Sequence, residues 1–234
     1  MSQPRHPGSL LPCKQRVGLF GGTFDPIHRG HLEVAEAARQ RFGLDQICLV
    51  PAAQPPHKRA LIATAVDRIA MVRLAVAHRP GFSVSTVELE REGPSYTIET
   101  ILQVKSSRPP GAELVFLLGY DAFLELNTWK SYNSILQEVP LIVLARGRYG
   151  SQDVNRAIAT LKHYIDRHLP AGYRWDAAGA CFVHPEARTI HFFDGPRLDI
   201  SATEIRRLIG KGMSARAVLP AAVADYIDRK GLYQ

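Results

Sequence analysis

Apolar runs of strand length recur at nearly regular intervals: RVGLFGG at 16–22, QICLVPA at 46–52, FSVSTVEL at 82–89, ELVFLLG at 113–119 and LIVLARG at 141–147. Between them lie segments with helical spacing. In HLEVAEAARQRFG, Leu32, Ala35, Ala38 and Phe42 fall near one face and Gly43 supplies a stop. In AVDRIAMVRLAVAHRPG, Ile69, Val72 and Val76 make the stripe, and Pro80 and Gly81 end it. Strands that lack clean polar alternation and are separated by helices indicate a parallel sheet covered on both faces, because each crossover lays its helix on the sheet. The expected fold is a doubly wound, Rossmann-like α/β sheet with a C-terminal helical segment. Ligands of such sheets bind outside the carboxyl ends of the strands. Those ends read Gly21-Gly22, Pro51-Ala52, Gly119-Tyr120-Asp121 and Arg146.

A chain of 234 residues, 46% hydrophobic and 22% charged, fits one large soluble domain. Residues 1–15 read as a flexible lead-in, broken by Pro4, Pro7 and Pro12 and lacking the apolar stretch of a signal peptide or membrane span. Residues 16–234 read as a single domain with an insertion at about 147–188, where SQDVNRAIATLKHYIDRHL suggests an amphipathic helix and PAGYRWDAAGACFVHPEART a loop-rich excursion. A further strand, TIHFFDG, precedes two terminal helices, the first opened by Ser201 with Glu204 three positions on, a capping-box pattern. Cys13, Cys48 and Cys181 are odd in number and contain no C-x-x-C pair, so neither a disulfide framework nor a thiolate zinc site is indicated, and a cytoplasmic setting is expected. The net charge of +7 suits nucleic acid or small polyanions equally and does not choose between them.

The densest stretch is GGTFDPIHRGH, Gly21 to His31, at the junction of the first strand and the first helix. Nucleotide phosphates are bound at that place in many α/β folds. The stretch is neither G-x-G-x-x-G nor a P-loop. His28 and His31, three apart at a helix start, project toward one side if that turn is helical. A zinc site is weakly supported, since no Glu completes H-E-x-x-H and no third ligand is evident. A purely structural pair that caps the helix and packs the loop is the second alternative. The third is donation to phosphate oxygens where the helix N-terminus already favours an anion. This third alternative is the expectation adopted.

G-G-T-F-D-P-x-H-x-G-H resembles the signature of the nucleotidyltransferase superfamily related to class I aminoacyl-tRNA synthetases, in which H-x-G-H binds the triphosphate of ATP. PAAQPPHK (51–58), PSYTIET (94–100), GYDAFLELNTWKSY and ISATEIRRLI (200–209) are similar to blocks of bacterial nicotinate mononucleotide adenylyltransferases, in the same order. The resemblance covers 16–209. Two departures stand out: Ala202 replaces a Ser of the usual I-S-S-T, and 147–188 is longer than the family core requires.

The resemblance implies transfer of AMP from ATP to nicotinate mononucleotide, with Mg²⁺ arriving on the ATP and pyrophosphate leaving. The acceptor phosphate is already an anion, so alignment and charge compensation carry the catalysis. His28, His31 and Arg206 are then the expected catalytic residues. Gly21, Gly22, Thr23, Phe24, Lys58, Ser201 and Thr203 are expected on ATP, and Tyr96, Thr97, Gly119, Asp121 and Trp129 on the mononucleotide. Trp129 would stack on the pyridine, and the backbone around Tyr96 and Thr97 would receive the carboxylate. No dedicated metal ligands are expected, with Asp25 as an indirect candidate only; an Asp before Pro is commonly structural. The runner-up is another H-x-G-H transferase, such as phosphopantetheine adenylyltransferase, against which PPHK, PSYT and Trp129 argue. From another class, a basic RNA-binding relative is suggested by GKGMSARAV, but Gly212 interrupts the likeness to a synthetase K-M-S-K-S loop and no aromatic residues interleave with a basic run. Neither nucleic acid nor membrane is expected as a partner, and a homo-oligomer is left open.

Overall fold

The computed structural model describes residues 15–55, 62–145, 151–196 and 200–234. The lead-in up to residue 14, Lys58 and the strand-end Arg146 lie outside them. The chain runs β1 (Arg16–Gly22), α1 (Arg29–Arg41), β2 (Gln46–Pro51), α2 (Ala65–Val76), β3 (Phe82–Val84), α3 (Thr97–Ser106) and β4 (Glu113–Gly119). It continues through a single turn α4 (Tyr120–Phe123), α5 (Tyr132–Glu138), β5 (Leu141–Ala145), α6 (Ser151–His168), β6 (Arg174–Asp176), β7 (Cys181–Val183) and β8 (Ile190–Asp194). Two helices close it, α7 (Ala202–Ile209) and α8 (Ala221–Lys230). The sheet order is β3-β2-β1-β4-β5-β8-β7-β6.

The central strands bury both faces, which is why their sequences are continuously apolar. In β4, Leu114, Phe116 and Leu118 enter one core with α3, α5 and α6. Val115 and Leu117 enter the other with α1, α2 and α8. The period of two divides one strand between two cores. The α1 stripe is buried at Leu32, Ala35 and Ala38, and Gly43 follows with φ of +58°. Thr64 caps α2 by accepting from the Asp67 N–H at 3.1 Å.

Three expectations change in the structure. The run at 82–89 yields only the three-residue β3, pairing as far as Val84 with Leu49, with Ser85 N–H donating to the Leu49 carbonyl at 2.9 Å. The next rung needs an N–H from Pro51, which has none, so the chain turns away. The sheet is also not wholly parallel: β7 pairs antiparallel with both β6 and β8. The excursion read as loop-rich therefore contains a hairpin that extends the sheet. Within the segment read as an insertion, α6 is the crossover that joins β5 to its parallel neighbour β8. Among the described residues, no helix is long and apolar enough to cross a membrane.

The chain leaves β1 toward β2 on one side and returns to β4 on the other. This reversal opens a crevice at the carboxyl ends of β1 and β4, the usual position for a ligand in an open α/β sheet.

Candidate active site

The turn after β1 is held by steric and hydrogen-bond constraints that its sequence encodes. Phe24 adopts φ of +48°, and a Cβ on Gly22 would lie 2.9 Å from its ring. Only glycine leaves room there. The peptide between Asp25 and Pro26 is cis. Asp25 is 3% exposed, and its carboxylate accepts from the Ile62 N–H at 3.1 Å, the Ala63 N–H at 3.3 Å and the Tyr233 hydroxyl at 2.7 Å. Three donors turn this carboxylate inward as an anchor of the loop, the structural role common for an Asp before Pro. Burial, followed by the bond to Asp25, raises the Tyr233 hydroxyl above its ordinary pKa and keeps it a donor. Tyr233→Phe strands part of a buried carboxylate and is expected to destabilise by about 1–2 kcal/mol. Thermal unfolding should show a midpoint lowered by roughly 2–8 °C.

His28 is the N-cap of α1 and His31 its third residue. Both are buried, and their rings lie side by side with centroids 3.7 Å apart. The His28 N–H donates to His31 Nδ1 at 3.3 Å. An imidazole that accepts at Nδ1 carries its proton on Nε2, so neutral His31 is an N–H donor at its far nitrogen. The pair therefore closes the first turn of α1. A Cβ on Gly30 would sit 3.1 Å from the His28 ring, a tight approach, so the intervening glycine leaves room for that ring against the start of α1.

From α7, Arg206 donates to the Asp25 carbonyl at 2.6 Å and to Thr203 Oγ1 at 3.2 Å. Its guanidinium is half-buried beside the turn, although 181 positions separate it from Asp25. Ser201 caps α7 by accepting from the Glu204 N–H at 3.1 Å. The Glu204 carboxylate pairs with Arg207, at 2.7 Å from Nε, rather than closing the reciprocal half of the box. Among the described residues, no group of three or more His, Cys, Asp or Glu is arranged to hold a metal ion.

Beside this turn lies a cavity of about 250 Å³. Gly21, Gly22 and Thr23 form one wall, Tyr96 and Thr97 a second, and Gly119 and Trp129 a third. Trp129 is half-buried and meets Phe116 edge-on at 6.4 Å. Its neighbour Lys130 sets its ammonium 4.2 Å from the Tyr96 ring centroid and 2.7 Å from a Glu99 oxygen. Asp121 is exposed in α4 and does not line the cavity, unlike Gly119 immediately before that helix. The cavity lining also excludes His28, His31, Arg206, Ser201 and Thr203, so the expected site divides into a cationic turn and an adjoining aromatic cleft joined at Thr23.

Two residues that serve this arrangement have no role readable from the sequence. Arg68 of α2 is fully buried, and its guanidinium donates to the carbonyls of Thr23 at 2.7 Å, Ala52 at 2.6 Å and Ala53 at 3.2 Å. It binds the loop after β1 to the loop after β2. Burial lowers its pKa, opposed by the charge of Asp25 and more weakly by Tyr233 and Glu88. A guanidinium remains charged through such a shift. Ser95 fastens the PSYT segment to the loop after β2, accepting from the Ala53 and Gln54 N–H groups at 3.1 and 3.0 Å. The local signal for Arg68 is no more than a charge beside the apolar stripe of α2. Ser95 stands inside a recognisable block without a distinguishing feature of its own.

A switch-point crevice with a histidine-capped helix beside an aromatic cleft matches a broad class first: the cytidylyltransferase-like family model fits residues 19–208. A chain of Desulfatibacillum aliphaticivorans, named a probable nicotinate-nucleotide adenylyltransferase, is 42% identical over 93% of this chain and 99% of its own. One of Acidithiobacillus ferrooxidans with the same name is 40% identical over 92% of this chain and 94% of its own. The chain belongs to the nicotinate-nucleotide adenylyltransferase family. The fold is also that of a solved Plasmodium falciparum nicotinic acid mononucleotide adenylyltransferase complexed with NaAD, with a TM-score of 0.67, 18% identity and coverage of 94% and 97% of the two chains.

Proposed function

We propose that this chain transfers AMP from Mg²⁺-ATP to nicotinate mononucleotide, giving deamido-NAD and pyrophosphate. The observation that carries the reading is the adjacency of two unlike subsites: a buried histidine pair with Arg206 at a helix N-terminus, and an aromatic cleft sharing Thr23 with that turn. The first suits a triphosphate and the second a flat heteroaromatic ring. Family membership supports the same substrates.

An oxygen of the mononucleotide 5′-phosphate attacks the α-phosphorus of ATP, and the bond from that phosphorus to the bridging oxygen breaks, releasing pyrophosphate with the electron pair. The nucleophile is already an anion, so no base is required. The protein aligns the two phosphates and meets the developing charge. His31, protonated at Nε2, donates to the phosphate oxygens with His28 beside it, and Arg206 holds the β and γ phosphates through its planar fork. Thr23, Ser201 and Thr203 supply neighbouring hydroxyls, Gly21 and Gly22 permit close backbone approach, and Phe24 packs edge-on against His31 at 5.2 Å. Mg²⁺ arriving on ATP would be held chiefly by the substrate phosphates and water and would help neutralise their charge. In the cleft, Trp129 stacks on the pyridine. The N-terminus of α3, where Tyr96 provides no side-chain cap, receives the carboxylate.

Pyrophosphate release from Mg²⁺-ATP, measured separately with nicotinate and nicotinamide mononucleotide, tests the reading; no release with either refutes it. Trp129→Ala removes a stacking surface of about 1–3 kcal/mol. It is expected to raise KM for the mononucleotide at least about fivefold with KM for ATP unchanged, and the reverse pattern would remove the stacking role.

A further inference from the structure

Among the described residues of the cleft, Glu88 is unexplained by the reaction above. It is 7% exposed and lies on the cavity wall. Its Oε1 accepts from Thr100 Oγ1 at 2.7 Å, and Thr100 Oγ1 in turn accepts from Arg91 Nη2 at 3.2 Å. Its Oε2 is buried without a hydrogen-bond partner among the described residues. An unpaired buried carboxylate oxygen is costly, and its retention in a ligand cavity calls for a compensating charge.

The other charges on the wall narrow what that charge is. Glu125 adds a second carboxylate, and the single ammonium among the described lining residues, Lys130, is paired with Glu99 at 2.7 Å. The buried Arg68 guanidinium also acts on Glu88, but its donors go to the carbonyls of Thr23, Ala52 and Ala53 and none reaches Oε2, so the lining itself is biased toward a cation. It is also apolar at Phe116, Leu118 and Trp129, which favours a flat, delocalised cation over a compact hydrated one. An N-ribosylated pyridine is such a cation, since its quaternised nitrogen leaves a permanent positive charge on the ring. The ring's own carboxylate is repelled by Glu88 and directed to the uncapped N-terminus of α3, which supplies Tyr96 and Thr97 to the same cavity.

We infer that Glu88 is the counter-charge of the pyridinium ring, and that it selects the oxidised, charged ring over an uncharged dihydropyridine of the same shape. This rests on the mononucleotide occupying the cleft as proposed above. Because Oε2 lies beneath the wall, the effect acts through space in a low-dielectric setting and needs no direct hydrogen bond.

The test compares kcat/KM for nicotinate mononucleotide and for its 1,4-dihydro form, at mildly alkaline pH, in the full-length protein and in Glu88→Gln. The substitution retains an acceptor for Thr100 and removes the charge. The wild type is expected to prefer the oxidised form about tenfold or more, and Glu88→Gln to lower that preference about tenfold by raising KM for the oxidised form, with KM for ATP unchanged. A carboxylate that only ties α3 to its neighbouring segment through Thr100 would reduce both substrates alike. An unchanged ratio in the variant, or a wild type indifferent to ring oxidation, overturns the inference while leaving adenylyl transfer intact. A wild type that releases no pyrophosphate with nicotinate mononucleotide overturns the proposed function, and this inference with it.

Discussion

Replacing His31 by Ala is expected to lower kcat about 10²–10³-fold, the usual effect of removing one preorganised donor from developing negative charge. Two features make the effect large. The ring is 8% exposed, so its donor acts where water is mostly excluded, and the His28 N–H holds Nδ1 at 3.3 Å, fixing both orientation and tautomer. The same contact completes the start of α1, so stability should also fall by about 1 kcal/mol, the scale of a lost cap. Steady-state pyrophosphate release combined with thermal unfolding separates the two effects: a small drop in midpoint cannot account for a hundredfold loss of turnover. A variant within about threefold of the wild type would remove His31 from the reaction and leave it as a cap.

Arg68→Met is expected to produce the largest loss of stability, about 3–5 kcal/mol, because a single buried cation supplies donors to carbonyls of two loops. The unfolding midpoint should fall by roughly 10 °C. Turnover should fall as well, since Thr23 belongs to the turn that carries the histidines and Ala52 ends the adjacent strand connection. Arg68→Lys preserves the charge without the fork and should recover only part of the stability, because one ammonium cannot span the same carbonyls. Added guanidinium that restored activity to an Arg68→Ala protein would separate loop positioning from the side chain's packing. Wild-type stability in Arg68→Met would show that the loops hold themselves.

Much of this arrangement is legible in the sequence. The runs at 16–22 and 113–119 coincide with β1 and β4 because an unbroken apolar stretch of that length, bounded by glycine, has few alternatives in a layered fold. Ser201 caps α7 as its position foretells, since capping depends on atoms three residues apart. The run at 82–89 overstates the strand because the residue that stops β3 is Pro51, on the neighbouring strand. Glu88 and Arg68 are illegible for the same reason: a charged residue in a helix or connecting segment looks solvated until its burial is known.

The sequence by itself determined the strand and helix rhythm, the glycine-bearing junction between β1 and α1, and the family that this junction and the later blocks resemble. These depend on backbone sterics and short periodicities, which act between near neighbours. Only the tertiary structure decided that Asp25 faces Tyr233 across 208 positions, that Arg206 reaches the turn from the other end of the chain, and that Glu88 lies in the cleft wall with one oxygen unpaired. Such contacts are created when the sheet brings distant segments together, and the value of a buried polar group is set by the partners it finds there.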